Sequence, residues 1–246
     1  MKRFLKLYQI EQKLFFRNAD VFIFNLCMPV VTLLMICLIA GGKPAGESGM
    51  TYLQSAFASI TAVGICCSAF MSIPIVIIDY RDKKILKHLY CSPCSPARIM
   101  AVDVLCSGVM AAISAICVTI TACVIFGYRM EGNVLAFIGA WFLTMIAMFS
   151  IGLLASSVCK TVKSMNVVTS LLYFPMLFFS GATIPYELFP KGMQKVAGLM
   201  PLGVGIRLMK AASMGTTLAE VDIQIIILVL ITLVCSLVAV KMFRWE

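Results

Sequence analysis

Two apolar runs, at residues 53–78 and 101–127, are joined by the charged stretch DYRDKKILKHLYCSPCSPARIM at residues 79–100. Each run exceeds the roughly 20 helical residues that cross a hydrocarbon core about 30 Å thick. Four further runs of similar character lie at 21–40, 134–158, 166–182 and 223–243. A bilayer offers no water to unpaired backbone groups, and these runs are continuously apolar instead of alternating. They therefore read as helices and not as barrel strands. The expected fold class is an all-α integral membrane protein with six transmembrane helices. The chain is 61% hydrophobic and 13% charged, against about a quarter charged in soluble domains.

Orientation follows from Lys and Arg. With the N-terminus inside, five precede the first run, five lie in 79–100, two in 159–165 and two near the C-terminus, leaving six of the twenty outside. The positive-inside bias therefore places both termini and the 79–100 segment in the cytoplasm. The net charge of +9 is accounted for by anionic inner-leaflet lipid and implies no nucleic acid. The short loops and the six-span build suit a bacterial plasma membrane.

Outside the spans, three segments carry structure of their own. The opening KRFLKLYQIEQKLFFRNAD is too long and charged for the leading region of a signal peptide. Phe4, Leu5, Leu7, Tyr8, Gln12 and Phe15/Phe16 gather near one helical face, and Lys2, Lys6, Lys13 and Arg17 reach headgroups. Residues 1–19 thus read as an interfacial amphipathic helix on the inner leaflet. In 79–100, Ile85, Leu86 and Leu89 line one side of a short helix, Ser92-Pro93 breaks it, and Ser95-Pro96 starts the third span as N-cap and first helical residue. Residues 183–222 mix Leu, Met and Val with Lys191, Lys195, Arg207 and Lys210, and Pro185, Pro190, Gly198 and Pro201 interrupt them. Short outside helices dipping into the outer leaflet suit that mixture. One domain is expected over 1–246.

Enzymatic readings find little support. The single histidine, His88, lies in 79–100, so no histidine-based triad or zinc site can form within the membrane. Of eleven cysteines, eight fall within the spans, and Cys91, Cys94 and Cys159 face the cytoplasm. They read as packing residues, and Cys91/Cys94 lacks a second pair to complete a metal site. Gly41-Gly42-Lys43 lies in an outside turn, without the strand and helix that a phosphate loop requires. Asp20 and Asp103 lie near cytoplasmic ends of spans, where pairing with Arg17 and Arg98 is expected.

Two segments carry a resemblance. Arg81-Asp82 followed by Leu86, Leu89 and Ser92-Pro93 resembles the first cytoplasmic loop of type-2 ABC exporter permeases. Phe174-Pro175-Met176-Leu177-Phe178-Phe179-Ser180-Gly181, with Pro185, Leu188, Pro190 and Pro201-Leu202, resembles that family's fifth span and following outside helices. The sequence departs from the family's pattern at Lys84, where glycine is common, and at Lys87, where an acidic residue is common. The resemblance covers essentially the whole chain. It implies a homodimer or heterodimer of six-helix permease chains, each docked on a separate ATPase that binds ATP and Mg; this chain holds no cofactor. It also implies that Arg81, Asp82, Lys84, Ile85, Leu86, Leu89, Ser92 and Pro93 couple to the ATPase. The second and fifth spans would line the substrate path.

On those spans, Asn166, Ser170 and Tyr173 share a helical face with Thr169 beside them, and Thr61, Ser68 and Ser72 form a comparable stripe. Such stripes serve either a path or dimer seam, or hydrogen bonds between helices of one bundle. Pro175, Met176, Phe178 and Phe179 form a possible apolar gate. The function expected is export of an amphipathic drug, peptide or lipid-like compound. The alternatives are a subunit that senses or sequesters an antimicrobial agent without transport, a lipid-linked glycan exporter, and an autonomous channel.

Overall fold

The computed structural model describes residues 2–40, 52–82, 96–159, 161–181, 192, 198, 200–215 and 221–242. These are helical almost throughout: α1 (Lys2–Arg17), α2 (Ala19–Ala40), α3 (Tyr52–Cys67), a π-helical turn (Ser68–Ser72), α4 (Ile73–Asp82), α5 (Pro96–Phe126), α6 (Val134–Val158), α7 (Val162–Phe179), α8 (Pro201–Met214) and α9 (Val221–Met242). Five stretches are long and apolar enough to cross a membrane: Ala56–Ile78, Met100–Phe126, Val134–Val158, Val162–Phe179 and Val221–Ala239. Leu5–Arg17 of α1 and Phe22–Leu38 of α2, bent by 59° from each other, bring the number to six when the pair is taken as one broken span. The protein is an all-α, multi-span membrane protein.

Local chemistry explains where these helices begin and how they run. The third span opens at Pro96, whose ring fixes a helical φ and whose missing N–H would lack an intrahelical partner there anyway. Asn133 caps α6, its side-chain oxygen accepting from the N–H groups of Leu135 and Ala136 at 2.9 and 3.4 Å. Thr161 and Ser164 form a reciprocal capping box at the start of α7. The second span is continuous from Ala56 to Ile78 but widens at Ser68–Ser72, where the N–H of Ile73 donates to the carbonyl of Ser68. Pro74 follows immediately and cannot donate to Phe70, so a single π turn takes up the broken pattern without ending the span.

The spans differ greatly in how far neighbouring helices cover them. In the second span 83% of the most apolar stretch is buried, against 11% in the sixth. Helices α2, α5, α6, α7 and α8 all pack around the second span, whereas α9 rests on α6 and α8. Phe57, Ile60, Ile65, Phe70 and Ile73 are almost wholly enclosed. Of the 183–222 stretch, the described α8 buries Leu202, Val204, Leu208 and Met209 between α6 and α3. Its C-terminal end meets the 127–133 loop, where the Gly132 N–H donates to the Ser213 carbonyl at 2.8 Å. A Cβ at Gly132 would collide with the carbonyl of Ala212, so this approach requires glycine.

Helix α1 lies against α5 and α2. Its packed face carries Leu7, Tyr8, Glu11 and Phe15, while Leu5, Ile10, Leu14 and Phe16 point outward. The face expected from sequence placed Leu5 and Phe16 with Tyr8. The structure separates them because the contact is made on the side that carries Glu11.

Candidate functional site

Two regions carry the polar chemistry of the bundle. The first lies midway along the second span. Ser68 Oγ donates to Asn25 Oδ1 at 2.6 Å, and Asn25 Nδ2 donates to Ser72 Oγ at 2.9 Å. All three residues are fully buried. The π turn contains both serines, so the widened backbone and the asparagine of α2 form one joint. Below it in sequence, the Tyr173 hydroxyl of α7 lies 3.4 Å from the Cys67 sulfur. The second span is thereby fastened to the first by Asn25 and to the fifth by Tyr173.

The remaining residues of the polar stripes divide by burial. Thr61 donates to the Phe57 carbonyl of its own helix at 2.8 Å, and Thr169 to that of Met165 at 2.8 Å. Both are buried. Ser170 is half-buried and Asn166 is exposed. Beside Asn166 runs an exposed apolar stripe of Val167, Leu171, Phe174 and Phe178, with the rings of Phe174 and Phe178 stacked at 6.5 Å. Near the end of α7, Met176 turns into the bundle, Pro175 is half-buried, and Phe178 and Phe179 face outward. The four residues of the possible gate therefore point to different sides of the helix.

The second region lies at the C-terminal end of the second span, where α4 leads into the 79–100 segment. Arg81 and Asp82 form the last turn of α4. Lys84, Ile85, Leu86, Leu89, Ser92 and Pro93 lie outside the described residues, as do Cys91 and Cys94. Two residues before Asp82, in the same turn, the Tyr80 hydroxyl donates to Glu11 of α1. Burial pushes the Glu11 carboxyl above the usual carboxylate range, and the hydrogen bond from Tyr80 pulls it back in part. Asp103 of α5 stands near Glu11 and is buried, and neither of its carboxylate oxygens has a hydrogen-bond partner. The side chain of Arg98, the partner expected for Asp103, lies outside the description. The rotation of α5 turns Asp103 toward α1. The side chain of Asp20 lies outside the description.

Sequence reasoning passed over Asn25, Glu11 and Tyr80. Asn25 had a readable signal, a lone amide inside an apolar run, which must find a partner in the membrane. Glu11 and Tyr80 had none, since ionisable and aromatic residues are ordinary at a membrane surface. Among the described residues the nine cysteines are free thiols, and no group of metal-ligating side chains comes together.

The described helices form a multi-span bundle whose most buried span runs on to Asp82, where a basic stretch of sequence follows. The sequence profile of the ABC-2 type transporter family matches residues 2–214, and the chain belongs to that family. It is similar to nodulation protein J of Rhizobium leguminosarum bv. viciae, at 28% identity over 102 residues, 42% of this chain and 39% of that protein. It is also similar to the inner membrane transport permease YhhJ of Escherichia coli (strain K12), at 24% identity over 126 residues, 51% of this chain and 34% of that protein. The same match is found with YhhJ of Shigella flexneri. The aligned segments thus span well under half the length of these relatives.

Proposed function

We propose that this chain is the permease subunit of an ATP-driven exporter of the ABC type. It moves an amphipathic compound outward across a bacterial plasma membrane. It works as a dimer of permease chains, each docked on a separate ATPase that supplies ATP and Mg. Residues 1–246 act as one transmembrane domain. In this reading both termini are cytoplasmic, α1 lies in the inner-leaflet interface with Leu5, Ile10, Leu14 and Phe16 in lipid, and α8 belongs to the outer side.

The observation that carries the reading is the position of the second span. It is the most buried span and touches most of the bundle, and it ends in Arg81 and Asp82 at the loop we assign to the ATPase. A displacement of that loop would be transmitted as rigid-body motion, because packed helices have few ways to absorb it. Asn25 with Ser68 and Ser72, and Cys67 with Tyr173, would carry the motion to the first and fifth spans. Asn166, Thr169 and Ser170 of the fifth span, with Thr61 deeper in the second, mark the path. Of the four residues of the possible gate, Met176, which turns into the bundle, marks its outer constriction.

Affinity purification of the chain in mild detergent, followed by mass spectrometry and an ATPase assay, tests this assignment. Wild type should bring down an ABC ATPase, while Asp82→Arg and Leu86→Asp lose it at unchanged expression. An intact chain that retains no ATPase would overturn the exporter reading in favour of sequestration or a channel.

A further inference from the structure

Where α1 crosses the start of α5, two carboxylic acids face a site walled by apolar groups. Glu11 is 8% exposed and Asp103 is 3% exposed. The walls are Leu7, Tyr8 and Phe15 of α1, Phe22 of α2, Val76 of α4, and Val102, Cys106 and Met110 of α5. Among the described residues no cation stands against either acid. Among the described residues the titratable groups that face the pair are the Tyr80 hydroxyl, which donates to Glu11, and the Cys106 thiol. Neither brings positive charge.

Further polar groups here are also left open. Both Asp103 oxygens, the fully buried Ser107 hydroxyl one turn along α5, and the side-chain amide of Gln12 beside Glu11 have no hydrogen-bond partner. Two carboxylates cannot both stay ionised in such a setting, since each is desolvated and each repels the other. Among the described residues no third ligand joins the two acids to hold a metal ion. The ligand that fits is a proton.

We propose that Glu11 and Asp103 form a proton-binding dyad that seats α1 on the second and third spans, and that loss of the proton at rising pH unseats it. The seated state binds more protons than the unseated state, so its stability falls as pH rises. Tyr80 ties the dyad to the last turn of α4, so unseating α1 also frees the root of the 79–100 segment. This device is independent of what the chain transports.

The test uses the full chain in lipid vesicles. Infrared difference spectra between wild type and Asp103→Asn, and between wild type and Glu11→Gln, should show a protonated carboxyl band at neutral pH that vanishes as pH is raised. Benzoylphenylalanine in place of Tyr8 should photocross-link to residues 96–126, with a yield that falls several-fold over the same pH range. Asp103→Asn should keep the yield high at alkaline pH, and Glu11→Gln gives the same readout should the first variant fold poorly. Absence of the protonated band at neutral pH, or a cross-linking yield that pH leaves unchanged, would overturn the proposal.

Discussion

Gly152 of α6 lies against the carbonyl of Ala69 in the π turn of the second span, so closely that a Cβ at position 152 would overlap the oxygen. The fourth span therefore approaches the second at the turn where Asn25 also binds. Backbone on both sides leaves no flexible side chain to yield.

Gly152→Ala should consequently lower stability by about 1–3 kcal/mol or more, the range for overpacking a dense interior. Gly139, where an added Cβ would meet nothing within 4 Å, serves as the control. Thermal stability in detergent, followed by size-exclusion chromatography of the heated protein, should drop for Gly152→Ala and not for Gly139→Ala.

Asn25→Leu removes the hydrogen bonds to Ser68 and Ser72 that fasten the first span to the second. Interhelical hydrogen bonds in membranes contribute about 0.6–2 kcal/mol, so a loss of that order is expected. A double-mutant cycle with Ser68→Ala should return a coupling energy of at least about 0.5 kcal/mol. Additive effects would mean that the bonds do not hold the helices together.

Asn166→Cys and Leu171→Cys compare two neighbouring faces of the fifth span. If Asn166 lines an aqueous path, a water-soluble maleimide should modify position 166 and leave position 171 unreacted, while a lipid-soluble maleimide reaches 171. Equal labelling of both by the water-soluble reagent would remove Asn166 from the path.

Tyr128, in the loop between the third and fourth spans, stacks on Phe57 with ring centroids 4.3 Å apart. Burial, with smaller effects from Cys123 and Glu131, pushes its phenol from 10.0 up to about 12. A raised acid pKa means that the folded state holds the proton more tightly, so stability is full below about pH 10 and declines as pH rises toward 12. Alkaline titration of the phenolate absorbance should show a late component that Tyr128→Phe removes.

The spans themselves were legible in the sequence. Membrane-crossing length is a local property, and so is the helix start at Pro96, which follows from proline chemistry alone. The family resemblance rested on equally local motifs around Arg81-Asp82 and Phe174-Pro175, and the profile match over residues 2–214 agrees with it.

Other features required the tertiary structure. Hydropathy did not reveal that the second span is the centre of the bundle, that Asn25 reaches Ser68 and Ser72, or that α1 turns Glu11 toward Asp103. In water, the buried face of a helix differs in polarity from the exposed one, and the difference can be read from sequence. In lipid both faces are apolar, and helix pairing is decided by the fit of small residues and scattered hydrogen bonds. Whether Asp103 faces Glu11 then depends on the rotation of one apolar helix about its axis. That rotation is set by packing with segments distant in the chain, and only the folded bundle determines it.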